Sequence, residues 1–444
     1  MKAVQTIKNI WKIEDLRTRI LTTVFLVILY RLGTFVVLPG IDPNALLALK
    51  NSTSEGLLAL LDMFSGGAFS NASIFALGIM PYISASIVMQ LLAIVVPSFQ
   101  KMQREGESGR RKMNQYTRYL TILILLVQGP VYLIGTRNTL AAEGVIMPST
   151  LGFMVVSTAI LTAGSMFVLW LGEKITDKGI GNGVSFIILI GIIARFPEAV
   201  INEFSLRLGG EGGLYVFILE IVFLLLVIAG AILLVQGTRR VPVQYAKRMV
   251  GNKQYGGARQ YIPLKVNAAN VMPIIFAQAI MFLPVSLYSF ASSEPSALLT
   301  DFMHGRGVLY AVVFSLLIIL FTYFYTAVTI NPTQMAEDLK RNNGFIPGVK
   351  PGKATKNFLD DVMSKITLPG AIFLAVVAIL PTFAMSESMG INPAFAQFFG
   401  GTSLIILVGV VLDTLQQIES HLLMHHYDGF SESGRIKGRS SAMY

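Results

Sequence analysis

The sequence predicts an all-α membrane protein with ten transmembrane helices in two pseudo-symmetric halves of five. Three observations predict it. Apolar residues make up 53% of the 444 positions and charged residues 14%, where a soluble domain carries roughly 25% charge. The apolar residues gather into runs long enough to cross a bilayer. The basic residues alternate between crowded and nearly empty loops. This composition excludes a water-soluble globular enzyme, a disordered protein and a disulfide scaffold. The absence of cysteine also excludes thiol catalysis and thiolate metal sites.

The spans fall near residues 18–38, 73–96, 119–135, 151–172, 183–201, 214–236, 269–291, 308–329, 368–385 and 400–423. A helix of about 22 residues rises about 33 Å, enough for a hydrocarbon core of about 30 Å. The third and ninth spans are short, so their ends borrow from the flanks. The first follows a polar, lysine-bearing terminus and is followed by no small-residue cleavage site. It reads as a permanent anchor rather than a cleavable signal peptide. Residues 1–19, 97–118, 173–182, 237–268, 330–367 and the tail hold 29 of the 35 Lys and Arg. The alternate loops hold Lys50, Arg137, Arg207 and Arg306. The positive-inside rule therefore places both termini in the cytoplasm. The formal charge of +10 is explained by this orientation before any nucleic acid is invoked.

Five spans in each half give the halves opposite topology, as in inverted-repeat transport proteins. The halves are residues 1–201 and 202–424, followed by a cytoplasmic tail at 425–444. Segment 57–72 breaks the pattern, because Ser65-Gly66-Gly67 interrupts its apolar run. About ten helical residues reach only roughly 15 Å, so it does not span. It reads either as an interfacial helix on the bilayer surface or as a re-entrant segment buried in protein. Pro81, Pro130, Pro273, Pro284 and Pro381 fall in or beside spans, where proline bends a helix. Pro81 and Pro273 belong to the second span of each half and suit a pair of bent helices.

The stretch Gly348 to Thr355 looks like a phosphate loop but has three residues between its glycines and Ala354 after the lysine. A phosphate loop needs four, and a hydroxyl after the lysine for magnesium. Gly179-Ile180-Gly181-Asn182-Gly183 lacks a strand–turn–helix setting and reads as a tight turn between spans four and five. His421 and His425 stand at a metal-ligand spacing but have no third ligand, and read as interfacial. Charge within the spans is sparse: Arg31 in the first, Asp413 and Glu419 in the tenth. Arg31 either meets a water-filled vestibule or helix-end carbonyls, or snorkels. Loop 237–268 has seven basic residues, no acid, and Tyr245, Tyr255 and Tyr261 interleaved. With loop 330–367 it forms two long cytoplasmic projections suited to an acidic protein surface or ribosomal RNA.

Several long motifs resemble the SecY family of protein-conducting channel subunits. They are Met63 to Ala68, Ser73 to Ile87, Glu105 to Lys112, Gly179 to Gly183, Tyr245 to Arg248, Pro263 to Asn267 and Gly400 to Leu404. The resemblance covers essentially the whole chain. It implies two inverted halves closed like a clamshell around an hourglass pore, with no catalysis and no cofactor. It implies an apolar ring at the waist made by Ile79, Ile83, Val184, Ile188, Ile275 and Ile406. Such a ring offers nothing to replace an ion's hydration shell, so it gates by dewetting. Val184 departs from the isoleucine usual in the family. The resemblance makes 57–72 a plug below the ring, with Met63, Phe64, Ser65, Gly66 and Gly67 at its core. It also implies a lateral gate between spans two and three and spans seven and eight, with Pro81, Ser84, Gln90, Asn267, Pro273 and Leu283 along it. Through that gate an apolar segment partitions into lipid.

Arg239, Arg240, Lys247, Arg248, Lys253 and Lys350 become the docking residues for a motor or ribosome. Lys350 replaces an arginine usual in the family and loses its planar fork. The partners implied are the small membrane subunits SecE and SecG, the SecA motor ATPase, the ribosome, and accessory and insertion factors of the SecDF and YidC type. Signal sequences, unfolded polypeptides and membrane lipids are the expected ligands, in the bacterial inner membrane. Two other readings compete. A secondary transporter of small solutes fits ten spans but lacks midplane carboxylates. A receptor without a conduit predicts no effect of polar substitution at Ile79, Ile83, Ile275 or Ile406.

Overall fold

The computed structural model describes residues 13–42, 46, 56–142, 150–209, 213–245, 248–250, 253–255, 259–269, 271–288, 307–385 and 390–433. It is predominantly helical. The helices are α1 (Glu14–Gly33), α2 (Gly56–Phe64), α3 (Met80–Val95), α4 (Pro97–Arg104), α5 (Glu107–Ala142), α6 (Leu151–Lys178), α7 (Gly183–Leu208) and α8 (Gly213–Gln236). After an insert of strands come α9 (Met272–Tyr288), α10 (Val308–Thr329), α11 (Pro332–Arg341), α12 (Lys353–Ala384), α13 (Pro393–Ala396) and α14 (Gly401–Ser433).

Seven of these, α5, α6, α7, α8, α10, α12 and α14, are long and apolar enough to cross a bilayer. The pair α3 and α4 makes an eighth if counted as one span; it is bent by 104° at the Val96–Pro97 break. Two further expected spans are helical but differ in character. α1 carries Arg17, Arg19 and Arg31 along its 20 residues, and α9 has 17 residues. The short third and ninth segments do extend into their flanks, as helices of 36 and 32 residues. Large apolar side chains stand on outer helix faces, among them Leu151, Leu233 and Val308. That is the expected face toward lipid, where only backbone satisfied within the helix is tolerated.

The second span starts later than the sequence predicts. Residues 74–79 are turn, and α3 begins at Met80. Pro81 and Pro273 therefore sit in the first turns of α3 and α9 and bend neither helix. In the first turn the missing amide hydrogen has no intrahelical partner to lose. Pro130, Pro197, Pro369 and Pro381 lie well inside long helices, and Pro284 lies inside α9.

Loop 237–268 carries strands that were not expected from the sequence: β1 (Thr238–Tyr245), β2 (Arg248–Val250), β3 (Lys253–Tyr255) and β4 (Arg259–Lys265), which fall into two sheets. β1 pairs antiparallel with β4, Thr238 opposite Lys265, and β2 pairs with β3. The 330–367 loop adds β5 (Gly344–Phe345), paired with β1 at Tyr245↔Gly344. The two expected projections are thus one unit. Val241 and Val243 are buried and Arg240 and Pro242 exposed, the period of two that a half-buried strand requires, while Arg239 is exposed near the strand's start. They pack with Leu264, Leu339, Ile346, Leu359 and Met363. Pro242 is tolerated in the central strand because β5 pairs only with Gln244 and Tyr245.

Candidate functional site

Much of the described part of segment 57–72 packs inside the protein. Met63, Phe64, Ser65 and Ala68 are buried, and the chain runs on in turns to Ile79. Gly66 and Gly67 have φ of 65° and 88°, the left-handed region where glycine is favoured. They end α2 sharply. Gly191 on α7 lets the plug backbone come close. A Cβ there would lie 2.6 Å from the Phe64 carbonyl oxygen and 3.0 Å from the Gly66 nitrogen.

Side chains from three helices hold this segment. From α1, the Tyr30 hydroxyl donates to the Ser65 carbonyl at 2.9 Å, and Arg31 donates to the Gly66 carbonyl at 2.7 Å. Arg31 therefore meets helix-end carbonyls instead of snorkelling. From α5, the Tyr132 hydroxyl donates to the Phe69 carbonyl at 2.8 Å. From α7, Arg195 pairs with the Asp62 carboxylate and donates to Ser70 Oγ at 2.7 Å.

The six expected ring residues lie in one apolar cluster. Ile79, Ile83, Ile188 and Ile406 are buried in it, and Val184 and Ile275 are half-buried against it. Met63 and Phe64 belong to the same large apolar core. The turn before α3, α3 itself, α7, α9 and α14 supply the six positions, which share this core with many other apolar residues.

The expected lateral-gate residues divide between α3 and the start of α9, which touch over a short stretch. Pro81, Asn267 and Pro273 are buried, while Ser84 and Gln90 are half-buried, with Gln90 donating to Ser86 at 3.2 Å. Leu283 lies in α9, and its side chain lies outside the described residues. Gln278 on α9 was not singled out from sequence. It is buried, and its carbonyl oxygen has no partner among the described residues.

Charge within the helices is richer than the sequence reading allowed. Glu203 and Arg207 near the end of α7 meet Glu220 of α8, all three buried. Arg207 pairs with Glu203 at 2.8 Å and with Glu220 at 2.6 Å. Glu203 also accepts from the Asn392 backbone at 2.9 Å. Glu220 is a carboxylate inside an otherwise apolar helix, which is the sequence signal that could have exposed this cluster. Between α7 or α8 and residues 397–399, Phe196 contacts Phe398, and Phe223 stacks on Phe399.

At the sheet, Arg239 and Arg240 are exposed on β1. Lys350 is exposed, and its carbonyl accepts from Thr355. Lys247 lies outside the described residues, as do the side chains of Arg248 and Lys253. The Gly179–Gly183 turn joins α6 to α7, and Gly181 donates its amide to Gln417 of α14 at 2.9 Å.

Known proteins share this arrangement. The family model for SecY matches residues 73–415. The protein translocase subunit SecY of Thermotoga maritima is 42% identical over 444 residues, covering 98% of this chain and 99% of its own. That of Halalkalibacterium halodurans is 43% identical over 437 residues, covering 96% and 99%. Among solved structures, a protein-conducting channel matches with a TM-score of 0.62 at 17% identity over 95% of each chain. A SecY protein whose plug domain stabilises the closed state of the channel matches at 0.63, with 18% identity over 95% of each chain. Sec61 from a canine ribosome–channel complex matches at 0.60, with 16% identity over 95% of each chain. These structures share the fold of this multi-pass membrane protein, and by the extent of its match the chain belongs to the SecY family.

Proposed function

We propose that this chain is the channel-forming subunit of a bacterial protein translocase. It passes secretory polypeptides across the inner membrane and releases transmembrane segments sideways into lipid. The observation that carries the reading is the plug seated in the same apolar cluster as Ile79, Ile83, Val184, Ile188, Ile275 and Ile406. An apolar constriction holds back hydrated ions and binds no side chain strongly, so varied unfolded chains can slide past. The lateral gate lies between α3 and α9, with Pro81, Ser84, Gln90, Asn267, Pro273 and Leu283 along it. There a signal sequence exchanges water for lipid.

In this reading ten helices form halves at 1–201 and 202–424, with both termini in the cytoplasm. The sheet of β4, β1 and β5 faces the cytoplasm, and Arg239, Arg240, Lys247, Arg248, Lys253 and Lys350 dock the SecA motor or the ribosome. SecE and SecG complete the membrane complex, and SecDF- and YidC-type factors assist it. The driving energy comes from the motor or from chain synthesis. The ribosome-bound Sec61 relative supports the ribosome as a partner.

Reconstitution into vesicles tests the whole. With motor and ATP, a presecretory polypeptide should cross; without them it should not. A charged residue at Ile83 or Ile406 should raise ion leak and relax signal-sequence stringency. Movement of a small solute on an ion gradient without the motor would favour a transporter instead. Silence of both substitutions in leak and export would remove the constriction from the mechanism.

A further inference from the structure

Among the described residues, the polar side-chain contacts that tie the plug to other helices run to α1, α5 and α7. Three of them, from Tyr30, Arg31 and Tyr132, end on backbone carbonyls. Any plug sequence offers those. The fourth is different. Arg195 meets the Asp62 carboxylate, a charge that only this plug residue supplies. The other Asp62 oxygen accepts from the Ser70 amide at 2.7 Å. The carboxylate therefore closes the plug's own turn and fastens that turn to α7. Arg195 adds a bond to Ser70 Oγ at 2.7 Å, so one guanidinium grips both ends of the turn. Its remaining arm holds Glu198 at 3.0 Å, which is exposed. Asp62 is 9% exposed at its side chain and Arg195 21%. In so dry a setting a charge-assisted pair is far stronger than at a surface, and removing one partner strands the other.

We infer that Asp62 and Arg195 are the latch that sets how long the plug stays seated. The residues that hold the plug, Tyr30, Arg31, Tyr132 and Arg195, all precede residue 202, so these contacts need no residue from the second half of the chain. Unseating separates the two charges, leaving Arg195 only the exposed Glu198 and Asp62 only the Ser70 amide, whereas the carbonyls released by Tyr30, Arg31 and Tyr132 can be rehydrated. What the latch means for transport rests on the channel reading above; the latch itself is a property of the resting protein.

The absence of cysteine makes the test direct. A single cysteine at Ala68, fully buried in the plug, reports plug exposure by its rate of reaction with a maleimide. The purified full chain carrying Ala68→Cys should label at least tenfold faster when Asp62→Asn or Arg195→Gln is added. Tyr30→Phe or Tyr132→Phe should change the rate less than threefold. The double variant Asp62→Asn, Arg195→Gln should label no faster than the faster single one, because both remove one interaction. A cysteine at Ala371 in α12, also fully buried, must stay slow in every variant, which separates unlatching from unfolding. Unchanged labelling in both single variants would overturn the latch, as would rate effects that multiply in the double variant. Fast labelling of Asp62→Asn vesicles that neither leak nor change export would uphold the latch and sink the channel reading.

Discussion

Where α3 meets α9 the contact is short, and Ser84 and Gln90 remain half-buried beside it. Where α7 meets α8 and residues 390–399, three charges, Glu203, Arg207 and Glu220, are buried together, and Phe196–Phe398 and Phe223–Phe399 contacts join the same elements. The first contact can part at little cost, since lipid solvates apolar helix faces as well as a neighbouring helix does. The second cannot part without breaking a buried pair of ion bridges, which leaves at least one charge without its partner until water reaches it. The proposed gate, opening at α3–α9 while the far side holds, would need this asymmetry. The chemistry of the two contacts, rather than their area, provides it.

That comparison can be broken at its strong side first. Arg207→Leu leaves Glu203 and Glu220 buried without their cation, and should destabilise the fold by roughly 3–5 kcal/mol. Thermal unfolding of the purified protein measures it. Adding Glu203→Gln and Glu220→Gln should recover most of the loss; no recovery would mean the joint is not electrostatic. Next, Gly191→Val presses a branched side chain into the Phe64 carbonyl. Overpacking of this kind costs about 1–3 kcal/mol. Here the plug gives way before α7 does, so vesicle ion leak should rise while the unfolding temperature barely moves.

The weak side should behave in reverse. Gln90→Leu and Ser84→Ala should each change stability by less than about 1 kcal/mol. They should still alter export of a reporter carrying a defective signal sequence. A large stability loss with unchanged stringency would show the α3–α9 contact to be ordinary packing. Smallest in its effect on the protein itself, Arg239→Glu with Arg240→Glu should leave circular dichroism unchanged. It should weaken motor binding and flatten its salt dependence. Flat affinity would leave those residues as a signature of orientation alone.

The spans were legible because their signal is composition, and composition is local. Residues 214–236 and 308–329 coincide with α8 and α10 almost end to end. The second span was misread because Ser73 to Ile79 is apolar yet folds as turns, with Ser73 bridged to Val37. Apolarity marks depth in the bilayer and does not by itself choose helix. The sheet was missed because its basic residues drew attention to charge, while the alternation at Val241 and Val243 spans only a few residues. Its third strand comes from about 100 residues away, at Gly344–Phe345. Asp62 and Arg195 were invisible as a pair for the same reason.

The order of apolar runs, the side on which positive charge collects, and the motifs of the SecY family were determined by the sequence alone, since each depends on neighbours along the chain. The packing of Met63 to Ala68 inside the protein, the placement of the six apolar positions in one core and the burial of Glu203, Arg207 and Glu220 were decided only by tertiary structure. A charge or an isoleucine has no fixed meaning until its partner arrives from elsewhere in the chain, and low dielectric then makes that meeting strong.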